Sequence, residues 1–221
     1  MRDSDDNPKP QGGAAGLVDA MLQLERLGLN VGAAGNVSER DGDGYLITAS
    51  GVPPAAMTSQ SIVRMSTTAE ATDTRPRPSS EWRFHRDIYC TREDVGAIVH
   101  VHSAYATALA CQHRGIPAFH YMVAVAGGRD IRCAPYARFG TQALSEHALD
   151  ALENRNACLL ANHGMISVGS TVTGAVALAC EVERLAEQYL LSLSAGEPVL
   201  LSEAEMDEVL EAFENYGNRN G

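Results

Sequence analysis

The sequence predicts a single α/β domain in which helices pack on a mixed, largely antiparallel sheet. Two observations carry this reading. Short β-like runs (GYLITASG, SIVRMS, AIVHVHS, ACLLANHGMISVG) mix with segments of helical periodicity, but not in the strict βαβ order that a parallel sheet requires. The 221 residues show no internal repeat and no change of composition that would mark a second domain, and this length suits one generous core.

In chain order, residues 1–15 are polar and acidic and are expected to be a disordered tail, leaving 16–221 as the single folded domain. Leu17, Ala20, Met21, Leu24 and Leu27 recur at helical spacing, with Gly28 as a stop. VGAAGNVSER is glycine-rich; GYLITASG and SIVRMS read as strands. TTAEATDTRPRP reads as a polar, proline-bearing loop. SSEWRFHRDIYC reads as a helix capped by Ser79 or Ser80, with Glu81 in its first turn. AIVHVHS is a strand, followed by a helix over AYATALACQHRG that Gly115 could end. IPAFHYMVAVAGG and IRCAPYARFG are β- and loop-like, and TQALSEHALDALEN is helical. ACLLANHGMISVG gives strand, turn and strand, and a long helix spans about Thr171 to Leu193. Ser202 and Glu205 have the spacing of a capping box opening the last helix.

The composition excludes several classes of function. A net charge of −11 with no basic cluster argues against nucleic acid and anionic membranes as partners. No apolar run reaches the ~18–20 residues of a membrane span, and the N-terminal stretch lacks a signal core, so the expectation is a cytoplasmic protein. Cys90, Cys111, Cys133, Cys158 and Cys180 are odd in number and form no C-x-x-C pair, which disfavours a disulfide framework or thiolate zinc site. Lys9, in the tail, is the only lysine. Schiff-base catalysis needs a lysine amine desolvated in a pocket, so carbanion chemistry here requires a metal or another electrophile.

His100 and His102 lie two apart on a strand, so both imidazoles leave the same face, as a pair of metal ligands would. An exposed polar face gives the same pattern. His163, in the Asn-His-Gly turn, would complete a three-imidazole set with an open coordination position; spacing does not show that the three meet. Glu81 can be a general base or a carboxylate that merely complements the helix dipole. Gly35-Asn36, Ser50-Gly51 and the serines before Glu81 can supply donors to an anion. His85, His113, His120 and His147 read as structural or surface groups.

Together, GNVS (35–38), ITASG (47–51), PSSEWRFH (78–85), HVH (100–102), IPAFHYMVAVAGG (116–128), CAPYARFGT (133–141), NHG (162–164) and NYG (215–217) resemble the class II aldolase/adducin family, in its order and over nearly the whole chain beyond residue 15. The closest resemblance is to its L-fuculose-phosphate aldolase members. It implies a three-layer α/β/α sandwich and a homotetramer with active sites at subunit interfaces. It implies that His100, His102 and His163 bind zinc (Co, Mn or Ni suit the same donors) and that Glu81 is the catalytic acid/base. Asn36, Ser50, Gly51, Ser79 and Ser80 fall at the family's substrate-phosphate site. Tyr121 matches a tyrosine that reaches the neighbouring subunit's site, and Tyr216 one in a mobile C-terminal tail, where this chain departs most from the family. The implied reaction is reversible cleavage of a ketose 1-phosphate, such as L-fuculose 1-phosphate, to dihydroxyacetone phosphate and an aldehyde such as L-lactaldehyde. Aldolases of 5-deoxy- or 5-methylthio-pentulose 1-phosphates are the alternative. The family's 4-epimerases, expected to carry Asp in place of Glu81, and its dehydratases are more distant readings.

Overall fold

The computed structural model describes residues 12–71 and 75–217, with side chains as far as Phe213. Among these residues, seven strands form one sheet: β1 (Asn36–Asp41), β2 (Gly44–Thr48), β3 (Ile62–Ser66), β4 (Ala97–Val101), β5 (Arg132–Ala134), β6 (Ala157–Leu160) and β7 (Gly164–Gly169). Their order is β3-β2-β1-β4-β7-β6-β5. Every pairing is antiparallel except β5 with β6. The sheet is therefore mixed and largely antiparallel, as the irregular mixing of strands and helices predicts.

Among the described residues, six α-helices flank it: α1 (Ala14–Arg26), α2 (Trp82–Thr91), α3 (Ala104–Ala110), α4 (Gln142–Ala151), α5 (Val172–Ala195) and α6 (Glu203–Gly217). Strand alternation divides the core into two layers. Ala97, Val99 and Val101 of β4 pack with buried residues of α1, α3 and α5, and with Met206 of α6. Ile98 of the same strand packs with residues of α2 and α4, together with Ile166 and Val168 of β7. The result is a three-layer α/β/α sandwich. β4 is buried on both faces, which explains why AIVHV is apolar except at His100.

Several elements differ from the sequence reading. Helix α1 begins at Ala14, inside the stretch read as tail; residues 1–11 lie outside the described residues. The second half of the stretch read as glycine-rich, VGAAGNVSER, lies in a strand, Asn36–Asp41, between β2 and β4. Its alternation is hidden because Asn36, Ser38 and Val37 are all buried. Neither Ser79 nor Ser80 caps α2. Glu81 occupies the cap position and its side chain makes no capping bond, because the carboxylate turns toward the sheet. Helix α3 stops well before Gly115, with His113 adopting the left-handed conformation at φ 54°. Gly115 serves a close approach instead, since a Cβ there would lie 2.4 Å from the Ile131 carbonyl oxygen. Tyr121–Ala126, read as β- or loop-like, forms a 3₁₀ helix whose first turn is capped by His120 through a bond donated by the Met122 N–H. The Ser202–Glu205 capping box forms as its spacing predicts. None of the five cysteines is paired; Cys158 is buried and Cys90 and Cys111 are exposed.

Candidate metal centre and active site

Three elements bring the histidines together. His100 and His102 leave one face of β4 and its continuation. The β6–β7 hairpin turns at Asn162, in the left-handed region at φ 54°, and carries His163 back beside them. The His100–His102, His100–His163 and His102–His163 ring centroids lie 4.9, 4.8 and 4.8 Å apart, with interplanar angles of 74°, 74° and 69°. The rings thus form three blades around a common point. Glu81 joins from the start of α2, with Oε2 3.1 Å from His100 Nε2 and Oε1 3.2 Å from His163 Nε2. One donor atom from each of the four residues lies within 4.8 Å of the others.

The donor chemistry fits a cation. His100 Nδ1 is 2.9 Å from the Met165 carbonyl oxygen, and a carbonyl only accepts, so Nδ1 carries a proton and, in the neutral ring, Nε2 keeps a lone pair for a cation. That lone pair faces His102 Nε2 at 3.0 Å. Glu81 Oε1 is buried with no hydrogen-bond partner, which costs free energy unless something positive meets it. Burial works against the Glu81 carboxylate, yet the His100 and His163 imidazoles hold its pKa well below the usual carboxylate range. Burial would depress His100, but the Glu81 charge outweighs it and raises the pKa. Burial, then the neighbouring imidazoles, push His102 down to about 4. Three imidazoles and a carboxylate suit zinc or a similar divalent ion.

The centre opens into a cleft of about 280 Å³ lined by Ser80, Glu81, His102, Tyr136, Phe139 and His163 among others, room for a small molecule rather than a polymer. Tyr136 and Phe139 belong to the CAPYARFGT stretch; sequence reasoning gave them no role, and an aromatic within a loop is its only signal.

The anion-binding candidates lie around the same corner. Asn36 pairs with His100 across β1 and β4 and donates its Nδ2–H to Glu81 Oε2 at 3.0 Å. The Ser50 N–H bonds the Arg77 carbonyl and the Ser79 N–H bonds the Thr48 carbonyl, tying Ser50-Gly51 to the segment that leads into α2. Gly51 has φ +74°, which few other residues adopt without strain. Ser79 Oγ accepts from the Glu81 N–H at 3.3 Å, and Ser80 is exposed at the cleft. Tyr121 is not brought to this cleft within the chain. It is half exposed and lines a separate groove with α6 residues such as Val209 and Phe213. The Tyr216 side chain lies outside the described residues.

A family model described as class II aldolase and adducin N-terminal domain matches residues 15–190. The chain belongs to the class II aldolase and adducin family. Within it, the chain is 56% identical over 203 residues to a 5-methylthioribulose-1-phosphate/5-deoxyribulose-1-phosphate aldolase of Rhodospirillum rubrum, covering 92% of this chain and 91% of that one. It is 48% identical over 204 residues to an L-fuculose phosphate aldolase of Escherichia coli, covering 92% and 94%. Among solved structures, an L-fuculose 1-phosphate aldolase superposes with a TM-score of 0.87 at 38% identity, covering 97% of this chain and 98% of that one. The chain is an enzyme of this family, an aldehyde-lyase. Among the described residues, no helix is long and apolar enough to cross a membrane.

Proposed function

We propose that this protein is a divalent-metal aldolase that reversibly cleaves a ketose 1-phosphate to dihydroxyacetone phosphate and an aldehyde. The observation that carries the reading is the convergence of His100, His102, His163 and Glu81 at the floor of one small cleft. His100, His102 and His163 would hold the metal, zinc by preference of the donor set. When bound, it supplies a Lewis acid for the substrate's carbonyl, the role that the lysine count denies to an amine.

The chain's own groups supply the rest. Ser50, Ser79 and Ser80, the N–H groups around Gly51, and the second N–H of the Asn36 amide bind the phosphate, with no lysine required. In cleavage, the C4 hydroxyl passes its proton through the Tyr121 hydroxyl of a neighbouring subunit to water. The C3–C4 bond breaks with its electron pair left on C3, and C3 takes a proton from the Glu81 carboxyl. In synthesis the Glu81 carboxylate removes that proton and Tyr121 donates to the aldehyde oxygen. On this reading the active sites lie at the subunit interfaces of a homotetramer. A cytoplasmic location suits such a substrate.

L-fuculose 1-phosphate is one candidate substrate. A second reading, 5-deoxy- or 5-methylthio-pentulose 1-phosphate, is favoured by the name of the 56%-identical relative and by the apolar rings of Tyr136 and Phe139 at the cleft. The test is dihydroxyacetone phosphate release from L-fuculose, L-rhamnulose, L-ribulose, 5-deoxyribulose and methylthioribulose 1-phosphates, with and without chelator. Release should depend on metal and be fastest for one of the first or last two sugars. No release from any of them by metal-loaded protein refutes the reading. Glu81→Gln should keep its metal and lose roughly 10²–10⁴-fold in rate.

A further inference from the structure

Asn36 and Ser38 leave the same face of β1, opposite His100 and Ile98 of β4. Helix α2 lies across that face and sets His85 and Tyr89, four residues apart, against them. Tyr89 Oη is 2.8 Å from Ser38 Oγ, and Ser38 Oγ is 2.6 Å from His85 Nδ1. His85 Nε2 is 2.6 Å from Asn36 Oδ1, and Asn36 Nδ2 is 3.0 Å from Glu81 Oε2. All five residues are buried, His85 and Ser38 completely.

The direction of every donor follows from the last link. An ionised carboxylate only accepts, so the Asn36 amide must present Nδ2–H to Glu81 and Oδ1 to His85. Oδ1 accepts, so His85 Nε2 carries the proton and, in a neutral ring, Nδ1 is an acceptor. Ser38 then donates to Nδ1, and its oxygen accepts from Tyr89. Burial first, then the neighbouring His100, pushes the His85 pKa down to about 3, which keeps the ring neutral and the order intact. Four groups thus donate in one direction toward one oxygen of Glu81. The other oxygen, Oε1, accepts no well-aligned hydrogen bond and faces His163 Nε2 at 3.2 Å.

We propose that His85, backed by Ser38 and Tyr89, is a positioning residue that locks the Asn36 amide and through it the Glu81 carboxylate, holding Oε2 and leaving Oε1 to exchange the substrate proton. A carboxylate held by one bonded oxygen has a single rotamer before substrate arrives, and that pre-organisation is worth most in the proton-transfer step. A histidine that merely filled space in this layer would have no reason to face polar partners at both ring nitrogens. The inference rests on the reading of Glu81 as the proton-transfer group.

The test is a double-mutant cycle on metal-loaded protein, read by exchange of the dihydroxyacetone phosphate C3 hydrogen with deuterated water. His85→Phe should slow exchange roughly 10–100-fold in the wild-type background, with metal content unchanged. In a Glu81→Gln background the same change should cost less than about twofold, because its route of action is gone. His85→Gln, which keeps an N–H for Asn36 and an acceptor for Ser38, should recover exchange to within about fivefold of wild type. If His85→Phe does not fold, Ser38→Ala carries the same cycle. Equal losses in both backgrounds, or a ring proton found on His85 Nδ1 by ¹⁵N NMR, would overturn the relay while leaving the aldolase reading standing. Wild-type protein that is inert in both exchange and cleavage overturns the aldolase reading, and the relay with it.

Discussion

Gly164 opens β7 just after His163, and its α-carbon has no room for a side chain. A Cβ there would lie 2.4 Å from the Val101 carbonyl oxygen and 2.8 Å from His102 Cδ2. Ordinary contact begins near 3.4 Å, so Gly164→Ala overlaps the carbonyl by about 1 Å and the imidazole by about 0.6 Å. Val101 is fully buried and paired with Met165, so the β4 backbone has little freedom to retreat. The start of β7 must then back away from the carbonyl, and the His102 ring, which is partly exposed at the cleft, is pushed aside. Overpacking of this kind costs about 1–3 kcal/mol, which for a chain of this length lowers Tm by about 2–12 °C. Displacing one of three imidazoles should weaken metal binding by roughly 10–100-fold. Thermal melts of chelator-stripped protein measure the first effect, and zinc titration against a competing indicator measures the second. A variant with a lowered Tm but wild-type zinc affinity would show that the strand moved rather than the ligand, and the reasoning would be refuted.

Three further outcomes are expected. Glu183 of α5 accepts from Ser103 Oγ at 2.6 Å, the Tyr105 N–H at 2.8 Å and the Ala106 N–H at 2.9 Å, capping α3 directly after His102; Glu183→Ala should destabilise the fold by about 1–2 kcal/mol, visible as a lower urea midpoint. Burial alone would raise the Asp87 pKa, but bonds from Arg86, Ser145 and Gln142 hold it below the usual carboxylate value. A depressed folded-state pKa means stability that is present at neutral pH and lost as pH falls below about 4, so Asp87→Asn should flatten the acid limb of a Tm-against-pH curve; a limb parallel to that of wild type would count against it. Finally, if Tyr121 serves a neighbouring site, mixing inactive Tyr121→Phe and Glu81→Gln subunits under exchange conditions should regain measurable cleavage; no gain, with hybrids confirmed by mass, would count against the interface site.

How far the sequence reaches differs from residue to residue. Patterns governed by neighbours along the chain are legible in it: the α1 and α5 periodicity, the Ser202–Glu205 capping box, and the shared face of His100 and His102, which follows from a two-residue repeat. The lone lysine directed carbanion chemistry toward a metal, and the ordered motifs pointed to the family. Residues whose roles depend on contacts distant in sequence gave no such signal. The strand Asn36–Asp41 is hidden behind a glycine-rich stretch because it exchanges bonds with β2 and β4, partners that no local pattern names. From its local position Glu81 reads as a general base or as a first-turn dipole partner, and only the packing of α2 on the sheet turns it toward His100 and His163. His85 reads as an ordinary helical histidine until Ser38 and Asn36, 47 and 49 residues away in the chain, are seen at its two nitrogens. Local spacing determines which side chains share a face. Which faces meet is decided by burial of the two apolar layers, and that is a property of the whole chain.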